Sequence, residues 1–159
     1  MFLGMFLGML SGILGAEGTA EQPHGAVTFH YGVGPETVIE GVTITGAYDG
    51  AIRAYGASTY STVRECPIKN NQGMDTACAI CGGGGIRLAN CVFEQDAGYA
   101  GRAPHMSDAA TMEIQGCLFK NHSGDRGGAI YCRGSDPHFM DCHFESNQAL
   151  DGGGAIWFQ

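Results

Sequence analysis

Four cysteines recur at nearly constant spacing along the chain, and this regularity limits the possible folds more than any other feature of the sequence. The intervals between them are 25, 26 and 25 residues, and Val42 extends the series 24 residues before the first cysteine. The series is Cys66, Cys91, Cys117 and Cys142. A fixed period of about 20 to 50 residues is typical of chains that stack one structural unit per repeat. We therefore predict a solenoid in which equivalent residues lie above one another.

Apolar residues follow the same period at other positions of the repeat. Two residues after the cysteine position lie Ile44, Ile68, Phe93, Phe119 and Phe144. Three residues before it lie Ile39, Val63, Leu88, Ile114 and Phe139. Further upstream is a second apolar series of Val27, Ile52, Ile80, Met106, Ile130 and Ile156. Because side chains alternate between the two faces of a strand, the cysteine position and the position two residues later predict the inner face of one short strand.

A polar series follows five residues after the cysteine position. It contains Ala47, Asn71, Asp96, His122 and Asn147. Asparagine and aspartate tolerate the backbone angles of tight turns, so we predict a turn at this position, with His122 as a substitute turn residue. Asparagine side chains that are stacked in register can also bond to one another, as in cross-β structures. We therefore expect Asn71 and Asn147 to belong to a stabilising polar column.

Two short motifs resemble those of a known superfamily. Gly127-Gly128-Ala129-Ile130 and Gly153-Gly154-Ala155-Ile156 resemble the GGAI element of the polymorphic outer-membrane protein repeat, and Phe144-Glu145-Ser146-Asn147 resembles its FxxN element. The wider pattern is similar to right-handed parallel β-helix proteins of the pectate-lyase-like type, over about residues 25–159. The resemblance implies an all-β fold made of a single right-handed parallel β-helix of about five coils. We assign this solenoid to residues 21–159.

The two ends of the chain differ in composition from the repeats. Residues 1–20 begin with a long apolar stretch, which favours a signal-like segment, a cap over the first coil or a membrane anchor. Near the other end, Gly153 begins a new repeat whose first strand contains Trp157 and Phe158. Solenoids normally carry a polar terminal cap. We therefore expect the β-helix to be incomplete at its C-terminus and the chain to be a fragment of a larger extracellular protein.

The seven cysteines allow several interpretations. Neighbours in the repeat could form disulfides, because Cα atoms one strand spacing apart lie within disulfide range, although parallel side chains are poorly oriented for the bond. We favour a column of packed thiols, since Val42 shares their position and buried cysteine behaves as a small hydrophobic residue. Cys78 and Cys81 form a CxxC pair, but a structural zinc site needs a second matching pair.

Few side chains form a recognisable functional site. Asp125 and Asp151 lie in successive repeats beside glycine-rich turns, so they are our candidates for a Ca²⁺ site; no other cofactor is expected. The resemblance also implies a carbohydrate-active alternative, because enzymes of the pectate-lyase-like type cleave acidic polysaccharides, using either Ca²⁺ with a basic residue or clustered aspartates. No such catalytic motif is recognisable here, and eight Lys and Arg residues provide little positive charge for a polyanionic substrate.

Charge also bears on the expected partners. The formal net charge is −8 and no basic stripe is present, which disfavours a nucleic-acid partner. We predict a secreted or cell-surface solenoid with a structural or adhesive role and with cell-surface or polysaccharide ligands. Two alternatives stay open: a polysaccharide lyase or hydrolase-like module, and a module that self-associates end to end through uncapped coils.

Overall fold

The fold is known from a computed structural model, which describes residues 12–15, 26–29, 33–34, 36–48, 50–54, 61–73, 80–81, 85–98, 105–107 and 112–159. All secondary structure within these ranges is β-strand. The strands are β1 (Gly12–Gly15), β2 (Val27–Phe29), β3 (Val38–Glu40), β4 (Val42–Thr45), β5 (Ile52–Ala54), β6 (Ser61–Arg64), β7 (Pro67–Lys69), β8 (Gln72–Gly73), β9 (Ile80–Cys81), β10 (Ile86–Ala89), β11 (Val92–Glu94), β12 (Ala97–Gly98), β13 (His105–Ser107), β14 (Met112–Gln115), β15 (Leu118–Lys120), β16 (Ser123–Gly124), β17 (Ile130–Arg133), β18 (His138–Met140), β19 (His143–Glu145), β20 (Gln148–Ala149) and β21 (Ile156–Phe158).

Each strand pairs in parallel with its copies in neighbouring coils. Sheet A has the order β1-β4-β7-β11-β15-β19, and sheet C has the order β18-β14-β10-β6-β3. Sheet D contains β20-β16-β12-β8, while sheets B and E are three-stranded, with orders β2-β5-β9 and β13-β17-β21. One coil therefore runs from β5 through β6, β7 and β8 to β9. The predicted all-β parallel solenoid is confirmed.

The core lies inside the coils and consists of the apolar series of the repeat. Val63, Leu88 and Ile114 on sheet C are fully buried, as are Ile44, Ile68, Phe93 and Phe119 on sheet A. Residues between them face outward, as the burial patterns of β6 and β10 show. In the central coils the inner side chains lie between their copies above and below, so burial there is almost complete although every strand has only two to four residues.

Sheet A is joined to its neighbours by two sharp corners in every coil. The residue before the cysteine position and the residue four after it both adopt positive φ. The first set is Gly41, Glu65, Asn90, Gly116 and Asp141, and the second is Gly46, Asn70, Gln95, Asn121 and Ser146. Our prediction that the position five residues after cysteine forms the turn was wrong by one residue. The left-handed residue comes first, and it turns the next side chain into the core.

The register of the second apolar series agrees with the sequence at most positions. Val27 pairs with Ile52, Ile52 with Ile80, and Ile130 with Ile156. Met106 instead pairs with Cys132, two residues beyond the Ile130 that we aligned with it. Met106 and Cys132 each lie 15 residues after the cysteine of their own coil, so the pairing follows the register of the cysteines and not the apolar pattern.

Only a short piece of the apolar N-terminal segment is described. Gly12–Gly15 pairs in parallel with Val42–Thr45 and is the first strand of sheet A. Residues 1–11 and 16–20 lie outside the described part of the chain, so the interpretation of residues 1–20 as a signal-like or capping segment stays a prediction. The described residues include no helix with the length and hydropathy that crossing a bilayer requires.

Candidate functional site

The repeated cysteines occupy equivalent places in successive coils. The backbone N–H of Val92 donates to the carbonyl of Cys66, and Leu118 and His143 bond in the same way to Cys91 and Cys117. All four are free thiols, buried at Cys66, Cys91 and Cys117 and half-buried at Cys142. The structure thus contains the packed thiols that we favoured over the disulfide alternative. Cys78 of the CxxC pair lies outside the described residues.

The thiols also satisfy backbone carbonyls at the corner between sheets C and A. Cys91 Sγ lies 3.5 Å from the carbonyl oxygens of both Ala89 and Val63, one in its own coil and one in the coil before. Cys142 Sγ makes the equivalent contacts at 3.3 and 3.4 Å. The neighbouring thiols of Cys117 and Cys66, together with burial, raise the pKa of Cys91. Because the thiolate is the reactive form, this shift favours a structural role for Cys91. The hydrogen bond with Cys91 has the opposite effect on its neighbours, since it lowers the pKa of Cys66 to about 7 and also lowers the pKa of Cys117.

The phenylalanine column consists of Phe93, Phe119 and Phe144 in successive coils of sheet A. The ring centroids of Phe93 and Phe119 are 4.7 Å apart with an interplanar angle of 6°. Those of Phe119 and Phe144 are 5.1 Å apart at 8°. In-register strand pairing imposes this spacing, and near-parallel stacks of this kind add stabilisation beyond area burial.

The amide column consists of Asn71, Asp96, His122 and Asn147, which point into the solenoid beside the phenylalanine column. Asn71, Asp96 and His122 are at most 1% exposed, and Asn147 is half-buried. Asn71 Oδ1 accepts from the backbone N–H of Ala47 at 3.1 Å, and Asn71 Nδ2 donates to Asp96 Oδ1 at 3.0 Å. These buried side chains therefore form hydrogen bonds between adjacent coils in the interior of the solenoid.

The calcium candidates, Asp125 and Asp151, lie in adjacent coils at the surface. The backbone N–H of Asp151 donates to the carbonyl of Asp125 at 2.7 Å, and both side chains are exposed. Arg126 Nε donates to Asp151 Oδ2 at 3.3 Å, so a guanidinium already partly neutralises this pair. Among the described residues, no group of three or more His, Cys, Asp or Glu side chains is placed to hold a metal ion. The Ca²⁺ site therefore stays a prediction.

Charged side chains on the outer faces form ion pairs between adjacent coils. On sheet C, Arg64 lies 2.7 Å from Glu40 and Arg87 lies 2.6 Å from Glu113. On sheet A, paired strand positions carry an alternating series of Lys69, Glu94, Lys120 and Glu145. Lys120 Nζ is 3.0 Å from Glu94 Oε1 within that series. Sheet A therefore carries a regular outward series of alternating charge, whereas sheet C carries two separate ion pairs between adjacent coils.

A family model described as "Right handed beta helix region" matches residues 25–159. The chain belongs to the right-handed beta helix family. The match spans most of the chain, including all the columns described above, and it agrees with the parallel register of every sheet. No curated protein and no solved structure matches the chain. The finer likeness of this β-helix to polymorphic outer-membrane repeats stays a prediction.

Sequence reasoning missed two features of this β-helix that the structure brings out. The first is the burial of Asp96 and His122, which we assigned to a turn; their position between Asn71 and Asn147 in one periodic series was the available signal. The second is the reason for the GGAI glycines. A Cβ atom on Gly128 would collide with backbone atoms of Gly154 and Gln148 in the next coil, so the glycines allow two coils to approach closely.

Proposed function

We propose that this β-helix is a secreted or cell-surface structural module whose outer sheet faces adhere to cell-surface or polysaccharide ligands. The observation that carries the proposal is the in-register pairing of opposite charges across successive coils of sheet A. Pairs of this kind recur in successive coils instead of converging on one cleft. Like charges on this face recur at every second coil, about 9.6 Å apart for a strand spacing of about 4.8 Å, and a repeat of this kind suits an extended polymer better than a compact substrate.

Sheet A is the face that we assign to the ligand. Beside its charged series lies an outward series of Thr43, Pro67, Val92, Leu118 and His143, which are half-buried or exposed. A flat strip of uncharged side chains flanked by alternating charges can contact both the apolar ring faces and the hydroxyl or carboxylate groups of a polysaccharide. The proposed extracellular location rests on the signal-like composition of residues 1–20, of which Gly12–Gly15 also pairs with β4 in sheet A.

Binding to immobilised polysaccharides tests this function. We expect the protein to bind at least one neutral or acidic polysaccharide without cleaving it, and the double variant K69E/K120E to bind about tenfold more weakly, a loss worth about 1.4 kcal/mol. The variant R64E/R87E, which alters sheet C in the same way, is the matched control and should retain binding.

The same assay separates the alternatives. Parallel samples with Ca²⁺ or a chelator are followed for unsaturated product and for reducing ends. Release of either would establish a carbohydrate-active enzyme in place of an adhesive module. Binding that requires Ca²⁺ and is lost in D125N/D151N would establish the calcium site. Failure to bind any polysaccharide or cell surface would overturn the adhesive role.

End-to-end self-association is a second candidate. It is favoured by the partial exposure of inner side chains in the coil from β18 to β20. Phe139, Cys142 and Phe144 are half-buried there, whereas their counterparts in the coil before are at most 1% exposed. A further coil laid on this one would bury the exposed parts of these side chains. Light scattering against protein concentration should then show growing particles for the native protein and a constant mass for F144K. A constant mass for both proteins would eliminate this candidate.

A further inference from the structure

Two ionisable side chains, Asp96 and His122, interrupt the amide column inside the β-helix. Each is 1% exposed. Asp96 Oδ2 and His122 Nε2 are buried atoms without a hydrogen-bond partner in the structure. Buried polar atoms of this kind are costly unless their protonation state fits their surroundings.

The two asparagines of the amide column show which hydrogen bonds the backbone can make with a side chain at this position of the repeat. Asn71 Nδ2 lies 3.2 Å from the carbonyl of Ile44, and Asn147 Nδ2 donates to the carbonyl of Phe119 at 2.9 Å. The amide oxygen accepts from the backbone N–H one coil before, as in the 3.1 Å bond from His122 N to Asn147 Oδ1. The position therefore requires one acceptor atom and one donor atom.

In its ionised form, Asp96 provides the hydrogen-bond acceptor that this position requires, but it has no donor. Its Oδ1 accepts from the backbone N–H of Asn71 at 2.9 Å and from Asn71 Nδ2 at 3.0 Å. Its Oδ2 replaces the amide nitrogen of an asparagine. By the register Ile44↔Ile68, the backbone carbonyl that corresponds to this atom belongs to Ile68. Two oxygen acceptors cannot bond to each other, whereas a proton on Oδ2 makes Asp96 equivalent to asparagine.

His122 requires the opposite protonation state. Its Nδ1 lies 3.3 Å from the backbone carbonyl of Asp96, which can only accept, so Nδ1 carries the ring proton. Nε2 is then a buried acceptor. Adding a second proton there would place both a charge and an unpaired donor in the core.

We propose that Asp96 and His122 form a proton-sensitive point within the β-helix, at which the native coils require Asp96 with its proton and His122 without one. This inference does not depend on the proposed adhesive role. It implies that pH controls how firmly the coils on either side of these residues hold together.

The pKa shifts of both groups agree with this geometry. Burial raises the pKa of Asp96 from 3.8 to about 8, although the bonds from Asn71 oppose the shift. The stability that protonated Asp96 contributes is complete below pH 3.8 and is lost as the pH rises to about 8. Burial lowers the pKa of His122 below 6.5, so its contribution is complete above pH 6.5 and is lost as the pH falls below that value.

No neighbouring charged group named below forms a hydrogen bond with Asp96 Oδ2 or His122 Nε2. Glu94 raises the pKa of His122 slightly against the effect of burial, but it faces outward and pairs with Lys120. Lys69 is on the same outer face of sheet A. Inside the coils, the thiols of Cys91 and Cys117 lie beyond the phenylalanine column, and the amide of Asn71 is neutral.

Urea unfolding of wild type, D96N and H122N across the pH range tests the proposal. The ratio of the wild-type unfolding constant to that of D96N should rise with pH between 3.8 and about 8, by up to about tenfold per pH unit. The ratio of wild type to H122N should rise as the pH falls below 6.5. D141N removes one exposed carboxylate and is the matched control for the change in net charge.

A carbon-13 NMR titration of carboxyl-labelled aspartate supplies a readout that does not depend on unfolding. The resonance that is missing from the D96N spectrum should titrate in the wild-type protein with a midpoint near 8. A midpoint below pH 5 for that resonance would overturn the proposal, as would a wild-type to D96N ratio that does not change with pH.

Discussion

Replacing Gly128 with alanine is expected to destabilise the β-helix by about 3 kcal/mol. The added Cβ would lie in hard contact with the carbonyl oxygens of Gly154 and Gln148, and 2.7 Å from the carbonyl carbon of Gln148. These atoms belong to the backbone of the next coil and cannot rotate away as a side chain could. The two coils must separate locally, which also weakens the bond from the N–H of Gly128 to the carbonyl of Gly153. Urea unfolding of the purified variant at fixed pH measures this cost.

Gly154 provides the matched control for Gly128, because the two glycines hold the same place in successive GGAI elements. A Cβ on Gly154 would have the carbonyl of Asn147 at 3.5 Å as its nearest contact, which is an ordinary van der Waals distance. We expect G154A to change the free energy of unfolding by less than about 1 kcal/mol. Equal losses for G128A and G154A would show that chain flexibility, and not the approach of two coils, accounts for the effect.

The sequence predicted the repeating part of this fold because stacking acts on every coil in the same way. A residue that is buried in one coil lies above its counterpart in the next, so Phe93, Phe119 and Phe144 must all be suited to the same interior position. The spacing of the cysteines fixed the register for the same reason. These columns could be identified from a single chain without any structure.

Features that depend on one backbone angle or on the register of a single strand could not be predicted in this way. Asn70 and Asn71 are adjacent and chemically identical, yet the first adopts φ of 56° and the second is buried. The sequence does not show which of the two makes the turn. Met106 pairs with Cys132 instead of Ile130, so the two residues that pair are those at the same distance, 15 residues, from the cysteines of their own coils, Cys91 and Cys117. The apolar pattern alone favoured the isoleucine.

The candidate site was less predictable than the fold because outward side chains are not constrained by stacking. Arg126 is adjacent to Asp125 in sequence, but it bonds to Asp151 in the next coil. The ion pairs on sheets A and C likewise join residues that are 24 to 26 positions apart. Their partners become evident only after the register is known.

Truncating Phe119 to alanine should cost about 4 kcal/mol of unfolding free energy. Its ring is fully buried and is stacked on Phe93 on one side and on Phe144 on the other, so its loss removes contacts at two coil interfaces. In a solenoid, stability is close to a sum of terms for each repeat and each interface between neighbours. Urea unfolding at neutral pH measures the change.

Phe144 is the control within the same column. It is half-buried, stacks on Phe119 alone and meets Phe139 edge-on at 6.0 Å. We expect F144A to cost about half as much as F119A, because one stacked interface is lost instead of two. If the two losses were equal, the stacking of successive coils would not be the dominant source of stability, and the phenylalanine column would matter only through the area that each ring buries against its own coil. A larger loss for F119A would instead show that contacts between coils provide much of the stability of the β-helix. The thiol and amide columns also contribute contacts of this kind.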